Sequence, residues 1–427
     1  MPNIITKKIN IENARTFIES LNTNSLYLFI GRPNSWKNDT SPPIPEYGKQ
    51  AIANYWDEMV GLKRLIPSQI TNVVKRVNWT LFNIYDEYTH EDPNMWDKKF
   101  YVMNSRYDVY ICIDNAERSQ STVEPTGKSL NIFSTSDGYK WKYLYSISIS
   151  DQLKFLTRNW MPVVKNDTVA GVAKDGGIEN IKIYNGGTNY SFLANVSITG
   201  DGTGANVSLR TRLGVIYDYI INNPGTGYRY ANLSIQDSSG QYANLKPILS
   251  PYGGHGADPV FELGAKYVMI NSKIEYNEGS SDIPPEISFR RLGIVKNPIQ
   301  REGYVANSTT LNALKEVTIN VASDNFTPGE FVVGLTSGAN ASVIVSNVVD
   351  GNGYIRYIQS DGLTSNFRPF TVGETIIGSV SGETANIVLS ISPEVIHDSG
   401  SIIYVENRTP ITRSIDQAEN LHIVIEF

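Results

Sequence analysis

Two stretches of the chain repeat one pattern: residues 181–190 read IKIYNGGTNY and residues 219–228 read YIINNPGTGY. The copies lie 38 residues apart at the turn Asn-x-Gly-Thr-x-Tyr. Each copy puts a strand-length apolar run before glycines, which accept the positive φ of a tight turn. Self-similarity at a fixed offset is typical of repeated structural units, so the pattern predicts an inserted β-repeat module over residues 166–256.

A second, different repeat lies further along the chain. Residues 326–334 read FTPGEFVVG, residues 370–378 read FTVGETIIG, and the offset is 44 residues. The spacing fits two or three short strands in each copy, so we place a second inserted β-repeat module over residues 306–394. Both modules are interpreted as decoration or spacer and not as catalytic units.

Outside the modules, apolar periodicity indicates both helices and strands. Residues 47–60 carry apolar side chains at helical spacing, so we expect a helix that stops at Gly61. Further on the period is two, and Val109, Ile111 and Ile113 share one face of a strand.

These patterns predict a multidomain, mainly β chain with an α+β N-terminal part. Residues 1–165 form that α+β part. Residues 257–305 together with 395–427 form a β-sandwich-like core, into which the two repeat modules are inserted.

Composition restricts the classes of protein to which the chain can belong. It has 427 residues, a net charge of −6 and one cysteine, so a secreted scaffold stapled by disulfides is excluded. The lack of a strongly basic segment argues against nucleic acid as a partner. The first ten residues lack the apolar core of a signal peptide, and no apolar run approaches membrane-spanning length, so no membrane partner is expected.

No motif in the sequence assembles recognisable catalytic or metal-binding chemistry. The four histidines lie far apart, unlike zinc ligands. Residues 350–355 resemble the middle of a calcium loop but lack its outer ligands, and residues 200–204 are glycine-rich but precede a strand, so both are interpreted as turns. We therefore expect no enzyme activity, cofactor, metal or small-molecule substrate.

Ordered motifs at both ends of the chain resemble the gene-product-eight baseplate wedge family of T-even-type contractile-tailed phages. The C-terminal motif runs from Ser399-Gly400 through Tyr404, Glu406-Asn407-Arg408 and Asp416-Gln417 to Phe427. The N-terminal motifs, in family order, are Phe29-Ile30-Gly31-Arg32, Trp36, Pro42-Pro43, Trp56-x-x-Met59-x-Gly61, Arg76, Trp79 and Asp137-Gly138-Tyr139-x-Trp141-x-Tyr143-Leu144. The resemblance covers roughly residues 20 to 165, 260 to 300 and 395 to 427.

The resemblance implies a non-enzymatic structural subunit of the tail baseplate wedge. Members of this family are β-rich, three-domain homodimers that bind neighbouring wedge proteins. They contribute to baseplate assembly and to the rearrangement that triggers sheath contraction. This chain would then be a late, virion-located tail protein assembled in the host cytoplasm. The repeat modules depart from the family pattern.

The family motifs supply the candidate structural or interface residues. They are Arg32, Trp36, Trp56, Arg76, Trp79, Tyr139, Trp141, Tyr143, Tyr404, Glu406, Asn407, Arg408, Asp416, Gln417 and Phe427. The tryptophans suit either a domain core or an interface. Arg32 and Arg408 suit bidentate recognition of a carboxylate, although Arg408 could instead bind turn carbonyls around Thr409-Pro410. Glu406 and Arg408 share one strand face and could pair with each other.

Two rival functions stay open at this point. One is a tail-fibre or receptor-binding β-protein that recognises a host surface saccharide through exposed aromatic side chains. The other is a virion-associated polysaccharide hydrolase, which would need two carboxylates facing each other across a groove. Acidic pairs such as Asp57-Glu58 are simpler to interpret as solvated helix surface.

Overall fold

The computed structural model describes residues 6–192, 195–274, 283–359, 368–414 and 417–427. Its α-helices are α1 (Lys7–Glu19), α2 (Lys49–Asp57), α3 (Ile149–Phe155), α4 (Asp167–Val172) and α5 (Pro259–Glu262). Single turns of 3-10 helix occur at Ser20–Asn22, Pro67–Gln69 and Met95–Asp97.

Strands dominate the described residues, which confirms the prediction of a mainly β chain with helix near its N-terminus. They are β1 (Leu26–Gly31), β2 (Met59–Leu65), β3 (Ile70–Lys75), β4 (Tyr101–Met103), β5 (Asp108–Asp114), β6 (Phe133–Ser134), β7 (Lys140–Ser146), β8 (Trp160–Pro162), β9 (Ile178–Thr188), β10 (Asn195–Gly200), β11 (Asn206–Arg212), β12 (Val215–Asn223), β13 (Ala231–Gln236), β14 (Gln241–Leu249), β15 (Tyr267–Ile274), β16 (Ser288–Lys296), β17 (Thr310–Asn312), β18 (Lys315–Asn320), β19 (Phe331–Gly334), β20 (Asn340–Val349), β21 (Asn352–Ile358), β22 (Thr375–Gly378), β23 (Thr384–Ile391), β24 (Ser401–Thr412) and β25 (Glu419–Glu426).

The chain divides into two compact units, each built from separate stretches of sequence. Unit 1 comprises Met1–Phe17, Thr71–Met269 and Val424–Phe427, and unit 2 comprises Ile18–Ile70 and Ile270–Ile423. The division into four domains, at residues 1–165, 166–256, 257–305 with 395–427, and 306–394, stays a prediction. The β-sandwich character of the core also stays a prediction.

Unit 1 contains a four-stranded sheet of order β4-β5-β7-β6. The predicted alternation in β5 is confirmed, because Val109, Ile111 and Ile113 belong to one buried cluster. Tyr110 and Cys112 point to the opposite face and belong to another cluster. The sheet is therefore covered on both faces, and every residue of β5 before its last one is buried.

The first repeat module also lies in unit 1, and its two copies exchange strands. Strand β9 of the first copy pairs with β14 of the second, and β11 pairs with β12. Between them β10 pairs antiparallel with β13, with Ser197 opposite Ser234. Neither copy completes its own strand pairing, so the module is one interlocked unit with approximate two-fold symmetry. The glycine-rich residues 200–204 connect two strands, as predicted.

Unit 2 contains an antiparallel five-stranded sheet of order β17-β2-β1-β16-β24. Its strand β1 is buried along its whole length. Gly293 of β16 is required there, since a Cβ atom would lie 2.3 Å from the ring of Phe29. The register with β24 jumps from Phe289–Ile411 to Arg291–Asn407, so β24 bulges at residues 408–410. The bulge accommodates Pro410, which has no N–H for the ladder.

The second repeat module contains a closed six-stranded barrel, of order β18-β21-β20-β19-β22-β23. Here too the copies interlock, and β19 of the first copy pairs with the equivalent β22 of the second. The carboxylate of Glu330 accepts hydrogen bonds from the Ser381 N–H (3.0 Å) and hydroxyl (2.7 Å) in the other copy. Glu374 accepts the equivalent bonds from Ser337, at 2.9 and 2.8 Å. Residues 350–355 contain the predicted hairpin turn between β20 and β21.

The predicted helix over residues 47–60 is wrong at its C-terminal end. Helix α2 stops at Asp57, and Met59 and Val60 begin strand β2. Both residues are buried, as the helical pattern required, but Met59 pairs with Gly31 of β1. Pairing with a neighbouring strand therefore outweighs local helical spacing.

Candidate interaction site

Arg291 of β16 organises a cluster of family-motif residues on unit 2. Its Nε donates a 2.8 Å hydrogen bond to the side-chain oxygen of Asn407, and its Nη1 pairs with the carboxylate of Glu58. The guanidinium lies 4.3 Å from the ring centroid of Tyr55 and 5.6 Å from that of Trp36. Such cation–π contacts favour a planar guanidinium at this position.

The electrostatics of this cluster are those of a largely buried ion pair. Burial raises the pKa of Glu58 to about 7, although Arg291 opposes this rise. Burial likewise lowers the pKa of Arg291, against the attraction of Glu58. Asp57, the neighbour of Glu58, is bound separately by His397 at 3.0 Å. Both acidic side chains at the C-terminal end of α2 thus form ion pairs with residues of the same chain.

Arg408 and Glu406 pair with each other, as their shared strand face allows. Arg408 Nε lies 2.9 Å from Glu406 Oε1, and Tyr404 donates a 3.0 Å bond to the same carboxylate. The alternative prediction, that Arg408 binds turn carbonyls around Thr409-Pro410, is wrong because the bonds of its guanidinium go to Glu406 and to the carbonyl of His422. Arg408 also donates to the carbonyl of His422 at 3.3 Å.

Two of the predicted tryptophans contribute to unit 2 in different ways. Trp56 is 5% exposed and belongs to the apolar cluster against the five-stranded sheet. Trp36 is half-buried, and its indole N–H donates a 2.8 Å hydrogen bond to the carbonyl of Arg408. Asn407 in turn donates to the carbonyl of Pro43 at 2.9 Å. Residues from the two ends of the sequence thus fasten the loop after β1 to strand β24.

The motif residues of the α+β part stabilise unit 1. Trp141 is fully buried, and Tyr139 stacks on it with ring centroids 5.3 Å apart. Trp79 donates its indole N–H to the hydroxyl of Ser121 at 3.0 Å. Tyr143 shares a 2.7 Å hydrogen bond with the Ser146 hydroxyl.

The other predicted residues lie at the margins of the elements. Arg76 donates to Asn78 at 2.8 Å and to the carbonyl of Thr157 at 3.0 Å. Phe427 packs on Phe17, with ring centroids 5.3 Å apart. Gln417 is exposed and accepts a 3.2 Å bond from the Ser414 N–H. Asp416 lies outside the described residues.

The predicted residues thus belong to two groups, one in each unit. Arg32, Trp36, Trp56, Tyr404, Glu406, Asn407 and Arg408 lie in unit 2, whereas Arg76, Trp79, Tyr139, Trp141, Tyr143 and Phe427 lie in unit 1. Sequence reasoning missed Arg291, and it interpreted Asp57-Glu58 as solvated helix surface, which is wrong because Glu58 pairs with Arg291 and Asp57 with His397. Glu58 lies beside the motif residue Trp56, but its partner is 233 residues away along the chain.

The described residues contain no group of three or more His, Cys, Asp or Glu side chains suited to hold a metal ion. Among these same residues, no helix has the length and apolar character needed to cross a membrane. Cys112 is buried, and burial raises the pKa of its thiol.

Comparison with known proteins gives one distant relative. No protein-family model matches the chain. The chain is 21% identical over 200 residues to the baseplate wedge protein gp8 of Enterobacteria phage T4. The similarity covers 38% of this chain and 60% of the relative, so the chain spans less than two thirds of that protein's length.

Proposed function

We propose that this chain is a structural subunit of a phage tail baseplate wedge. The observation that carries the proposal is the similarity to a baseplate wedge protein of phage T4. The proposed role is to bind neighbouring wedge proteins, to contribute to baseplate assembly and to take part in the rearrangement that triggers sheath contraction. In this proposal the chain acts as a homodimer in the virion and has no enzymatic activity.

The contacts of the family-motif residues support a structural role. Arg408 is bound by Glu406, and Arg291 by Glu58 and Asn407, within one chain. The bonds from Trp36 to the Arg408 carbonyl and from Asn407 to the Pro43 carbonyl hold the loop after β1 against β24. Together these contacts give unit 2 a fixed surface. A rigid scaffold that presents loops suits a protein whose task is to hold neighbours in place.

The proposal is tested by sedimentation of the tagged full-length chain mixed with lysate from phage-infected cells. We expect the chain to migrate as a dimer in a discrete complex with other tail proteins at fixed stoichiometry. Mass spectrometry of that fraction identifies the neighbours. A chain that sediments alone as a monomer, in a lysate whose own baseplates assemble, contradicts the proposal.

One feature favours saccharide recognition as a second candidate function. The first repeat module carries several exposed tyrosines: Tyr184, Tyr217, Tyr230, Tyr242 and Tyr252. Aromatic rings on β-structure can stack on sugar rings. A group of large exposed side chains often marks a binding surface, because burying these side chains against a partner removes apolar area from water. Micromolar binding of the full chain to a glycan array, lost on changing these tyrosines to alanine, is the result expected for this alternative.

A further inference from the structure

A cavity of about 610 Å³ in unit 2 is lined by arginines from three parts of the sequence. Arg32 follows β1, Arg290 lies in β16, and Arg368 precedes β22. The barrel forms one wall, and a Cβ atom on Gly329 would lie 3.0 Å from Arg32 Nη2. Positively charged side chains next to the five-stranded sheet therefore face the barrel across this cavity.

The guanidinium of Arg32 makes no hydrogen bond or ion pair with any residue that the structure describes. Its backbone N–H donates to the carbonyl of Glu58 at 2.9 Å, which fixes the start of the side chain. Burial and then the neighbouring charge of Arg290 lower the pKa of Arg32. A half-buried cation beside a second cation is unfavourable unless an anion compensates both.

Arg290 is only partly compensated. Its side chain is 13% exposed, and its one ion pair within the described residues is a 3.4 Å contact between Nη2 and Asp39. Its Nε atom is buried and has no hydrogen-bond partner among those residues. A buried N–H left without an acceptor is costly, so the described residues satisfy the guanidinium of Arg290 only in part.

The acidic side chains at the cavity do not neutralise these arginines. Glu58 pairs with Arg291, and Asp57 lies 3.0 Å from His397. Within the described residues, Arg368 reaches the carbonyl of Ser337, at 3.5 Å. The lining therefore carries an excess of positive charge, with planar guanidinium groups suited to bidentate bonds to oxyanions.

We propose that this cavity is an oxyanion-binding site, in which Arg32 and Arg290 hold a carboxylate or phosphate group. The same chemistry is offered by a free anion and by the carboxylate of a protein neighbour. Arg368 approaches from the barrel side, so a bound anion would also join the barrel to the loop after β1. The inference does not rest on the proposed baseplate role.

The test is calorimetric titration of the full chain at constant ionic strength. The probes are inorganic phosphate, acetate, and a short peptide with a free C-terminal carboxylate beside its amidated form. Sodium chloride is the reference for general salt effects. We expect saturable binding of one oxyanion per chain. Phosphate binding alone identifies a free anion as the source, and preference for the free-carboxylate peptide identifies a protein carboxylate.

Variants separate a binding site from a merely structural pair of arginines. Arg32→Gln and Arg290→Gln should each weaken oxyanion binding about ten- to hundredfold, because each removes a charged hydrogen-bond donor. Arg32→Lys should lose much of the binding, since lysine lacks the planar fork. The control is Arg301→Gln, at a half-exposed arginine that donates to the carbonyl of Ser392 at 3.1 Å and should leave binding unchanged.

Thermal unfolding gives an independent readout, which also verifies that each variant folds. Phosphate should raise the midpoint temperature of thermal unfolding for the natural chain but not for Arg32→Gln. Without phosphate, Arg32→Gln should unfold at the same or a slightly higher temperature, because it relieves repulsion by Arg290. Absence of binding for every oxyanion, or binding unaffected by both glutamine variants, overturns the proposal.

Discussion

In residues 178–249 the two repeat copies meet through tyrosine rings packed on glycines, whereas in the barrel they meet through buried carboxylates. Tyr190 of one copy covers Gly240 of the other, and Tyr228 covers Gly202 in return. In the barrel, Glu330 and Glu374 bind the opposite copy's serine turns. In the first module the steric fit of the rings is accompanied by exposed carboxylate bonds between the copies, such as the 2.8 Å bond from the Arg229 N–H to Asp201. The barrel instead buries the charge-assisted hydrogen bonds that join its copies.

The modules also differ in how they attach to the rest of their unit. The first module shares polar contacts with the α+β part: Asn180 donates a buried 3.1 Å hydrogen bond to the carbonyl of Ile113, and Lys182 forms a partly buried pair with Glu87 at 2.6 Å. In the barrel, Glu330 and Glu374 find their partners within the barrel itself. Removal of a module should therefore have opposite consequences in the two cases.

The largest effect is expected from replacing each module by a short Gly-Ser linker. Ile178 is the register partner of Leu249, and Glu316 is that of Ile391, so the ends of both deletions lie side by side. Loss of residues 178–249 removes the hydrogen-bond donor of the buried Ile113 carbonyl and the ion-pair partner of the partly buried Glu87, and should prevent cooperative folding. Loss of residues 315–391 should leave a folded chain, because the five-stranded sheet keeps its strands.

Urea unfolding, monitored by tryptophan fluorescence, measures the free energy of unfolding of both deletion variants. Size-exclusion chromatography verifies that the variants are compact. A folded chain without residues 178–249, or an unfolded chain without residues 315–391, would reverse the contrast between the modules.

The next largest effect concerns the barrel carboxylates. Glu330→Gln and Glu374→Gln should each lower the free energy of unfolding of the barrel by about 2–4 kcal/mol, because an amide group faces several N–H donors. Glu383→Gln is the matched control, since the Glu383 carboxylate accepts a single 2.7 Å bond from the Ser323 N–H. It should cost about 1 kcal/mol or less. Equal losses in all three variants, measured by urea unfolding, would contradict the role of the exchanged serine turns.

A smaller effect is expected for the glycines of the first module. A Cβ atom at Gly240 would lie 2.1 Å from the ring of Tyr190, so Gly240→Ala should destabilise the module by about 1–3 kcal/mol. Gly171→Ala in α4 is the control, because nothing lies within 4 Å of its added methyl group. The control should be neutral or stabilising by about 0.5–1 kcal/mol.

A double-mutant cycle assigns the cost of Gly240→Ala to the ring. In a Tyr190→Ala background the cost should fall, since the clashing ring is gone. If Gly240→Ala costs as much in the Tyr190→Ala background, the glycine is needed for the backbone conformation and not for the contact between the copies.

The sequence predicted both modules, because each repeat shows its offset directly, but the offset does not say which copy pairs with which. Glu330 and Glu374 stand at equivalent positions of the repeat, yet their partners lie about 50 and 37 residues away in the other copy. In the same way, Trp36 and Arg408 could be singled out as motif residues, whereas their contact spans 372 residues. Long-range pairing of this kind leaves no local pattern, so the cavity of Arg32 and Arg290 could not be predicted.

The last effect concerns pH, and it distinguishes the buried His255 from the barrel carboxylates by its sign. His255, at the end of the first module, is buried between Glu179 and Glu262. Burial alone would lower its pKa, but the two carboxylates raise it from 6.5 to about 10. Its contribution to stability is therefore complete below pH 6.5 and is lost as pH rises towards 10.

The barrel carboxylates should respond to pH in the direction opposite to that of His255. Burial raises the pKa of Glu330 and Glu374, but bonds from Ser381 and Ser337 outweigh it, and both pKa values lie below the usual 4.5. Their contribution is present above pH 4.5 and is lost as the pH falls through the lowered pKa values.

Urea unfolding between pH 6 and 9 tests the sign at His255. The stability of the natural chain should fall relative to His255→Gln by up to about 1.4 kcal/mol per pH unit, the value for release of one proton. Lys142, whose pKa burial lowers, faces the same two carboxylates, so the difference between the chains reports the His255 proton together with its coupling to these groups. His422→Gln, at an exposed histidine, should follow the natural chain. If His255→Gln also follows it, the buried imidazole is uncharged in the folded protein and the predicted loss of stability with rising pH is wrong.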